Sequence, residues 1–145
     1  MKFKIKKFYD DAIIPKYQTD GAAGFDFCAH LDAPLAIPPQ GIADIGTGVG
    51  IEIADGYELQ VRNRSGLPFK YHVGLLNGIG TIDSDFRGEI RVILKNFSDE
   101  DFVVEPGMRI AQGVVAKYEH IDWEETEDLS QTERNQNAFG STGLK

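Results

Sequence analysis

The sequence predicts an all-β protein, a distorted jelly roll or barrel with one short helix. Apolar and polar side chains alternate with a two-residue period in many short stretches, most clearly in 24–30 and 57–62. Turn signals rich in glycine and proline separate these stretches. Many short, half-buried strands joined by such turns are typical of barrels and jelly rolls.

The predicted strands follow one another along most of the chain. They cover 2–8, 24–30, 35–37, 42–47, 49–53, 57–62, 89–96, 101–104 and 109–118. Turn signals lie between them at Pro38-Pro39-Gln40-Gly41, Asp55-Gly56 and Glu105-Pro106-Gly107. One short helix is predicted over 65–70, and Pro68 is expected to keep it brief.

The stretch 74–83 is predicted to be two short strands that double back as a tight hairpin. Asn77-Gly78 readily adopts the positive backbone angles that such a turn requires. Glycine at 78 and 80 would let a flat ligand approach the main chain and pair with it edge to edge. A carboxylate, Asp83, and a ring, Phe86, follow. These groups suit a nucleoside, although an ordinary surface hairpin with a solvated aspartate gives the same pattern.

Length, charge and cysteine content limit the class of protein. The 145 residues fit one domain, which at this size buries roughly two-thirds of its unfolded surface. A net charge of -8 argues against nonspecific nucleic-acid binding, since that affinity comes mostly from Lys and Arg on phosphates. No apolar run approaches the roughly 18 residues of a membrane span, so no membrane partner is expected. The single cysteine, Cys28, excludes an internal disulfide framework and is consistent with a cytoplasmic location.

From residue 119 the chain becomes acidic, and Trp123 is expected to anchor this acidic segment to the body. We expect a β domain over 1–133 and a flexible C-terminal arm over 134–145. Polar, glycine-containing termini are usually frayed. This one also contains an arginine, a phenylalanine, glycines and hydroxyl groups, which suit phosphate oxygens. The arm could therefore close over a phosphorylated ligand.

Five motifs occur in a fixed order, and together they resemble those of the homotrimeric dUTPase family, bacterial or phage type. They are Ala23-Gly24-Phe25-Asp26-Phe27, Arg64-Ser65-Gly66, Gly80-Thr81-Ile82-Asp83-Ser84-Asp85-Phe86-Arg87-Gly88, Arg109-Ile110-Ala111-Gln112 and the stretch 134–143. The chain departs from the family pattern in a few places: Asn63 replaces a proline, Phe86 a tyrosine, Gly113 a bulky apolar residue, and Asn135 and Ala138 replace glycines. Ala138 bears most on the closed geometry of the arm.

The resemblance implies a dUTPase-like fold and hydrolysis of dUTP to dUMP and diphosphate with Mg²⁺, by water attack on the α-phosphorus. That activity keeps uracil out of DNA and supplies dUMP for thymidylate synthesis. Asp83 would hold the sugar 3′-hydroxyl and activate the water, and Asp26 would hold magnesium through water. The implied substrate-binding residues are Arg64, Ser65, Gly66, Asn77, Gly80, Thr81, Ile82, Phe86, Gln112, Arg134, Phe139, Gly140, Ser141 and Thr142.

The resemblance also implies a homotrimer with shared sites. Each site would take its third motif from one subunit, motifs one, two and four from a second, and the arm from a third.

Two alternatives remain. The dCTP deaminases share this fold and resemble the chain around G-x-I-D, but they place a glutamate base five residues after the last glycine of that motif. Counting from Gly88, that position holds Ile93. Some phage dUTPases also act as regulators by binding a repressor protein, and there is no long insertion between the motifs to suggest this role.

Overall fold

The computed structural model describes residues 2–138. Within them the chain forms twelve strands and one helix, so the all-β prediction is confirmed. The elements are β1 (Lys4–Lys7), β2 (Lys16–Tyr17), β3 (Phe25–Cys28), β4 (Leu35–Ile37), β5 (Ile42–Gly46), β6 (Val49–Glu52), β7 (Tyr57–Arg62), α1 (Gly66–Tyr71), β8 (Val73–Leu75), β9 (Ile79–Ile82), β10 (Arg91–Asn96), β11 (Phe102–Val104) and β12 (Arg109–Lys117).

The described strands form four sheets in a jelly-roll-like arrangement instead of one closed barrel. The largest has five strands in the order β2-β3-β12-β7-β9, and all its pairings are antiparallel. A three-stranded sheet has the order β5-β10-β8, and β1-β6 and β4-β11 form two-stranded sheets. The five-stranded sheet matters most for function, because it carries four of the five motifs or their immediate neighbours.

Alternation along β7 gives the five-stranded sheet one apolar and one polar face. Leu59 and Val61 are buried in the core, whereas Glu58, Gln60 and Arg62 lie on the opposite face. On that polar face Gln60 Nε2 donates to Glu58 Oε1 (2.6 Å), and Arg62 Nε donates to Gln60 Oε1 (2.9 Å). The polar side chains of β7 therefore form hydrogen bonds with one another along the strand.

Gly113 is explained by packing on the apolar face. A Cβ on Gly113 would lie 2.6 Å from the ring of Phe25 and 2.8 Å from the ring of Phe27. These two aromatic rings, which meet edge to face with centroids 5.4 Å apart, fill the space that a bulky residue would need. Gly113 therefore replaces the bulky residue of the family pattern because the two rings already occupy that space.

The helix α1 ends one residue later than predicted. Pro68 lies in its first turn, where proline is tolerated, so it does not end the helix. The helix ends at its C-cap residue, His72, which has a φ of 53° and so adopts the left-handed conformation. The His72 N–H donates to Leu67 O.

The prediction that the strands of 74–83 pair with each other is wrong. The turn itself forms: Gly78 N donates to Leu75 O (3.2 Å), and Gly78 has a φ of 70°. However, β8 pairs with β10 and β9 pairs with β7, so the two strands diverge into different sheets. Two-residue alternation cannot distinguish these pairings, since both bury the same side chains.

Residues 118–138 form no helix or strand. The expectation that Trp123 anchors the acidic segment is wrong, because its side chain is 88% exposed. Leu129, further along the same segment, is 86% exposed. Among the described residues, no helix is long and apolar enough to cross a membrane.

Candidate active site

Two arginines hold one carboxylate at the end of the five-stranded sheet. Asp26, on β3, is only 8% exposed. Its Oδ1 accepts from Arg64 Nε (3.0 Å), and its Oδ2 accepts from an Arg109 guanidinium nitrogen (3.1 Å). Arg64 also donates to the carbonyl of Arg109 (2.9 Å). Both oxygens of the nearly buried Asp26 carboxylate are therefore paired, as a buried charge requires.

Gln112 joins this group, which we call the arginine cluster: Asp26, Arg64, Arg109 and Gln112. Gln112 lies directly opposite Asp26 in the pairing of β12 with β3. Its Nε2 donates to Asn63 O (2.8 Å), and this bond holds the segment between β7 and α1 against β12. The side chain of Asn63 in turn accepts from Leu75 N (2.6 Å). Asn63, which replaces the family's proline, therefore links the cluster to the turn at 75–78.

Ser65 and Gly66 follow Arg64 directly. Ser65 is the N-cap residue of α1, but its side chain makes no capping hydrogen bond, and both residues are exposed. The Ser65 hydroxyl therefore stays available to a ligand beside Arg64. Cys28 lies near the same cluster, and burial, reinforced by the charge of Asp26, raises the pKa of its thiol. A half-buried thiol whose pKa is raised is suited to packing and not to nucleophilic attack.

Asp83 lies in a second, separate region. It follows β9 directly, is exposed, and lines a cleft of about 480 Å³. We call this region the Asp83 cleft; its lining residues are Glu58, Thr81, Asp83, Ser84, Asp85, Tyr118 and His120. The cleft therefore contains the predicted base together with two further carboxylates, those of Glu58 and Asp85.

The other predicted base-binding and sugar-binding residues lie along the edge that leads to Asp83. Gly80, Thr81 and Ile82 belong to β9, which is an edge strand of its sheet, and Asn77 lies exposed in the preceding turn. The ring of Phe86 packs over Gly88, where an added Cβ would lie 2.5 Å from Cζ, and Phe86 remains 40% exposed.

The structure does not bring the arginine cluster and the Asp83 cleft together within one chain. Ile82, next to Asp83, pairs with Leu59 near the start of β7, whereas Arg64 lies beyond the end of that strand. At about 3.3 Å per residue, the five residues from Leu59 to Arg64 place the two regions roughly 15–20 Å apart. The predicted site is therefore split into two halves on one sheet.

The structure describes only part of the predicted arm. Arg134 is exposed, and its Nε donates to Asn137 O (3.0 Å) within the arm itself. Asn135 has a φ of 44°, so it adopts the left-handed conformation that a glycine would favour. Phe139, Gly140, Ser141 and Thr142 lie outside the described residues.

Sequence reasoning missed several residues of both regions. Arg109 lies in the fourth motif but is not among the predicted site residues, and its ion pair with Asp26 places it in the arginine cluster. Glu58 alternates with the core residues of β7, which marks its face but not its proximity to Asp83. Ser84 lies within the third motif, but nothing in the sequence indicates its contact with Tyr118, because that contact joins distant parts of the chain.

The described residues fit magnesium only indirectly. No group of three or more His, Cys, Asp or Glu side chains among them could hold a metal ion. A carboxylate offers about four lone pairs, and the two guanidinium groups on Asp26 leave some of them for water. Asp26 can therefore accept a hydrogen bond from a water bound to magnesium, as magnesium usually keeps several of its waters.

These features define a strand-rich protein with a divided site, one end suited to an anion and the other carrying exposed carboxylates. A family profile for dUTPase matches residues 10–143, and the chain belongs to the dUTPase family.

Similar proteins agree with this membership. Deoxyuridine 5′-triphosphate nucleotidohydrolase of Orientia tsutsugamushi, strain Boryong, is 48% identical over 148 residues, covering 100% of both chains. The protein of that name from Chlamydia trachomatis serovar L2 is 51% identical over 144 residues, 99% of each chain. Staphylococcus bacteriophage 80alpha dUTPase, solved with dUPNHPP, matches 99% of each chain with a TM-score of 0.89 at 24% identity, which shows the shared fold.

Proposed function

We propose that the protein hydrolyses dUTP to dUMP and diphosphate, with water attacking the α-phosphorus. The observation that carries this proposal is the open edge of β9, which leads directly to the exposed carboxylate of Asp83. An edge strand offers unpaired backbone donors and acceptors to a flat base, and the carboxylate follows where the sugar and phosphates would lie. The printed names of the full-length relatives support the same substrate.

Backbone groups at 77–82 would select uracil. Uracil presents an acceptor at position 4 and a donor at N3, and cytosine presents the reverse, so a fixed backbone pattern rejects cytosine. A mismatched buried polar pair discriminates by about 10⁴-fold or more. Divergence of β8 and β9 supports this role, because a closed hairpin would use these backbone groups for its own pairing. Asn77, Gly80, Thr81 and Ile82 are the residues concerned.

Close packing would reject the remaining competitors. Thymine differs from uracil by one methyl group, so exclusion depends on the space left beside the turn at 75–78. The exposed ring of Phe86, held over Gly88, would lie against the sugar and leave no room for a 2′-hydroxyl. Phe139 from the arm would stack on the uracil.

Asp83 would act as the base. Its carboxylate would hold the sugar 3′-hydroxyl and take a proton from the attacking water as the new bond to the α-phosphorus forms. The bond from this phosphorus to the bridging oxygen breaks, and diphosphate leaves. The exposed position of Asp83 in a cleft with room for a nucleotide supports this role.

The arginine cluster and the arm would stabilise the triphosphate. Phosphoryl transfer depends on positioning and on neutralising charge on the phosphate oxygens. The donors proposed for this task are Arg64, Ser65, Gly66, Gln112, Arg134, Gly140, Ser141 and Thr142. The prior organisation of Arg64 by Asp26 supports the assignment, since a fixed guanidinium loses little freedom on binding.

Magnesium is the proposed cofactor. When bound, it neutralises charge on the phosphate oxygens and helps to orient them. Asp26 would accept hydrogen bonds from its waters, so the protein needs no dedicated cage of carboxylates.

The proposed assembly is a homotrimer in which neighbouring copies complete each site. Reacting groups must come within about 3–3.5 Å of each other, whereas the arginine cluster and the Asp83 cleft of one chain are well separated. A second copy that places its arginine cluster at the Asp83 cleft would remove this separation, and a third would supply the arm. A cytoplasmic location, where a lone cysteine stays reduced, completes the proposal.

The chain lacks the glutamate base that a dCTP deaminase would need. Ile93, at the position where a dCTP deaminase has a glutamate, lies on β10 with 37% of its surface exposed. No described carboxylate takes its place on that strand, which reads Arg-Val-Ile-Leu-Lys-Asn. Water activation for deamination would therefore have no base there.

A comparison of substrates tests the proposed function. The full-length protein is incubated with dUTP, dCTP, dTTP or UTP and magnesium in ¹⁸O-labelled water, and the products are identified by mass spectrometry. We expect turnover of dUTP alone, with the label in dUMP. Formation of dUTP from dCTP would support a deaminase instead, and label in diphosphate would contradict attack on the α-phosphorus. Light scattering of the same active preparation should return the mass of a trimer.

A further inference from the structure

Tyr118 lies at the point where β12 ends and stands beside the turn that carries Asp83. Its hydroxyl lies 3.4 Å from Ser84 Oγ, and Ser84 directly follows Asp83. The two side chains are partly buried and line the same cleft as Asp83. This hydroxyl contact joins residues that are 34 positions apart in the chain.

Tyr118 is itself held in place from two sides. Its backbone N–H donates to Gly56 O (3.2 Å), in the connection that precedes β7. Its ring packs against His120, with centroids 5.0 Å apart and planes tilted by 45°. A ring fixed in this way can hold the Ser84 hydroxyl that it contacts.

The turn that carries Asp83 has few other connections to the body. Asp83 O accepts from Phe86 N (3.2 Å), and the Arg87 guanidinium donates to carbonyls of the same turn. These bonds shape the turn but do not attach it to another element. Among the described residues, Ser84 to Tyr118 is the only side-chain hydrogen bond that ties 83–87 to a distant part of the chain.

We propose that Tyr118 is a positioning residue for Asp83, acting through the hydroxyl of Ser84. This inference rests on the proposed role of Asp83 as the base. Tyr118 touches neither water nor substrate in this account; it restricts the turn so that the Asp83 carboxylate keeps its direction in the cleft. The geometry of a general base strongly affects rate, since a misplacement of about 1 Å can cost roughly 10²-fold.

The contact makes a specific kinetic prediction. Tyr118→Phe and Ser84→Ala each remove one hydroxyl and leave the ring or the Cβ in place. We expect each to lower kcat for dUTP by about 5- to 20-fold, less than a full 1 Å misplacement would cost. KM should change by less than about twofold, because the loss falls on the transition state rather than on substrate binding.

A double variant separates positioning from a general loss of structure. If both hydroxyls act through one contact, Tyr118→Phe/Ser84→Ala should be no slower than the worse single variant. Ser84→Thr keeps the hydroxyl and should restore most of kcat. Tyr9→Phe is the matched control, since Tyr9 is 50% exposed and stacks on His30, away from the cleft; it should keep full kcat. Thermal unfolding of each variant checks that the fold is intact.

Asp83→Asn is measured alongside these variants. If Asp83→Asn loses turnover while Tyr118→Phe and Ser84→Ala both keep wild-type kcat, or show multiplying losses in the double variant, the positioning role is wrong and the proposed function stands. If Asp83→Asn keeps wild-type kcat, the base assignment fails, and the positioning role fails with it.

Discussion

The arginine cluster and the Asp83 cleft differ in how far the chain itself organises them. Asp26 is nearly buried and accepts hydrogen bonds from two guanidinium groups, so both of its oxygens are paired within one chain. Asp83 is exposed, and among residues 2–138 its turn has one side-chain hydrogen bond to a distant part of the chain. The arginine cluster, which is the proposed anion-binding region, is thus organised without a ligand. In the proposed assembly, a ligand and a neighbouring copy would complete the surroundings of Asp83.

Asp83→Asn should give the largest effect. The amide is nearly the same size and can still hold a 3′-hydroxyl, but it cannot accept a proton. We expect kcat for dUTP to fall by about 10²–10⁴-fold with a modest change in KM, as is typical for loss of a general base. Steady-state kinetics on the folded variant measure this.

Asp85→Asn is the control, because Asp85 lines the same cleft two residues later. It should lower kcat by less than about tenfold if only Asp83 accepts the proton. A greater loss for Asp85→Asn than for Asp83→Asn would show that the wrong carboxylate has been assigned.

Deletion of 134–145 should separate activity from stability. The described hydrogen bonds of Arg134, Asn135 and Asn137 stay within 132–137, and these residues are exposed. The midpoint of thermal unfolding should therefore change little. Turnover of dUTP should fall by about 10²–10³-fold, comparable to the loss of a donor that stabilises transition-state charge. Full activity in the truncated protein would mean that the arm is only a chain end.

Asp26→Asn tests the arginine cluster. The substitution puts a neutral amide at the nearly buried position 26 and removes the charge that pairs with Arg64 and Arg109, so we expect the free energy of unfolding to fall by about 2–3 kcal/mol. KM for dUTP should rise as Arg64 loses its support. Urea unfolding and steady-state kinetics measure the two effects.

Asp44→Asn is the matched control for this change, since Asp44 also pairs with an arginine, Arg91, but at the surface, where the side chains are 55% and 46% exposed. A surface pair contributes about 0–1 kcal/mol. Equal losses for the two variants would mean that burial of Asp26 has no special part in stability.

Asn63→Ala should have the smallest effect of these substitutions. It removes the acceptor for Leu75 N but leaves the Asn63 carbonyl that Gln112 contacts. We expect a loss of about 1–2 kcal/mol in the free energy of unfolding, the cost of one partly buried unpaired donor. Gln18→Ala, at an exposed side chain that bonds only to Lys16 O, is the control and should be nearly neutral. An equally neutral Asn63→Ala would remove the proposed link between the cluster and the turn.

The two regions also differ in how well the sequence predicts them. Alternation identified the buried faces of β3 and β7, including Phe27 and Leu59, because burial on one face follows directly from a two-residue period. It could not reveal that β8 pairs with β10 and β9 with β7, since strand pairing depends on distant parts of the chain. The prediction for Trp123 is wrong because a large apolar side chain usually packs against a core, whereas this one is 88% exposed.

The resemblance to a family supplied what periodicity could not. It selected Asp26, Arg64 and Gln112 as site residues, and the structure brings these three together. It also selected Asp83, yet neither motif nor spacing indicated that Tyr118 would stand beside the turn after it. Contacts between single hydroxyl groups across 34 residues leave no periodic signal in a sequence.

We expect copies of the chain to combine an arginine cluster from one with the Asp83 cleft of another. Two inactive variants, Asp83→Asn and Arg64→Ala, are each confirmed to fold, then mixed in equal amounts as unfolded chains and refolded together. In a closed ring with shared sites, about a quarter of the sites receive both intact halves, so about a quarter of the wild-type kcat should return. If mixed oligomers form, as native mass spectrometry would show, and no activity returns, each site is built from one chain and the shared-site assembly is wrong.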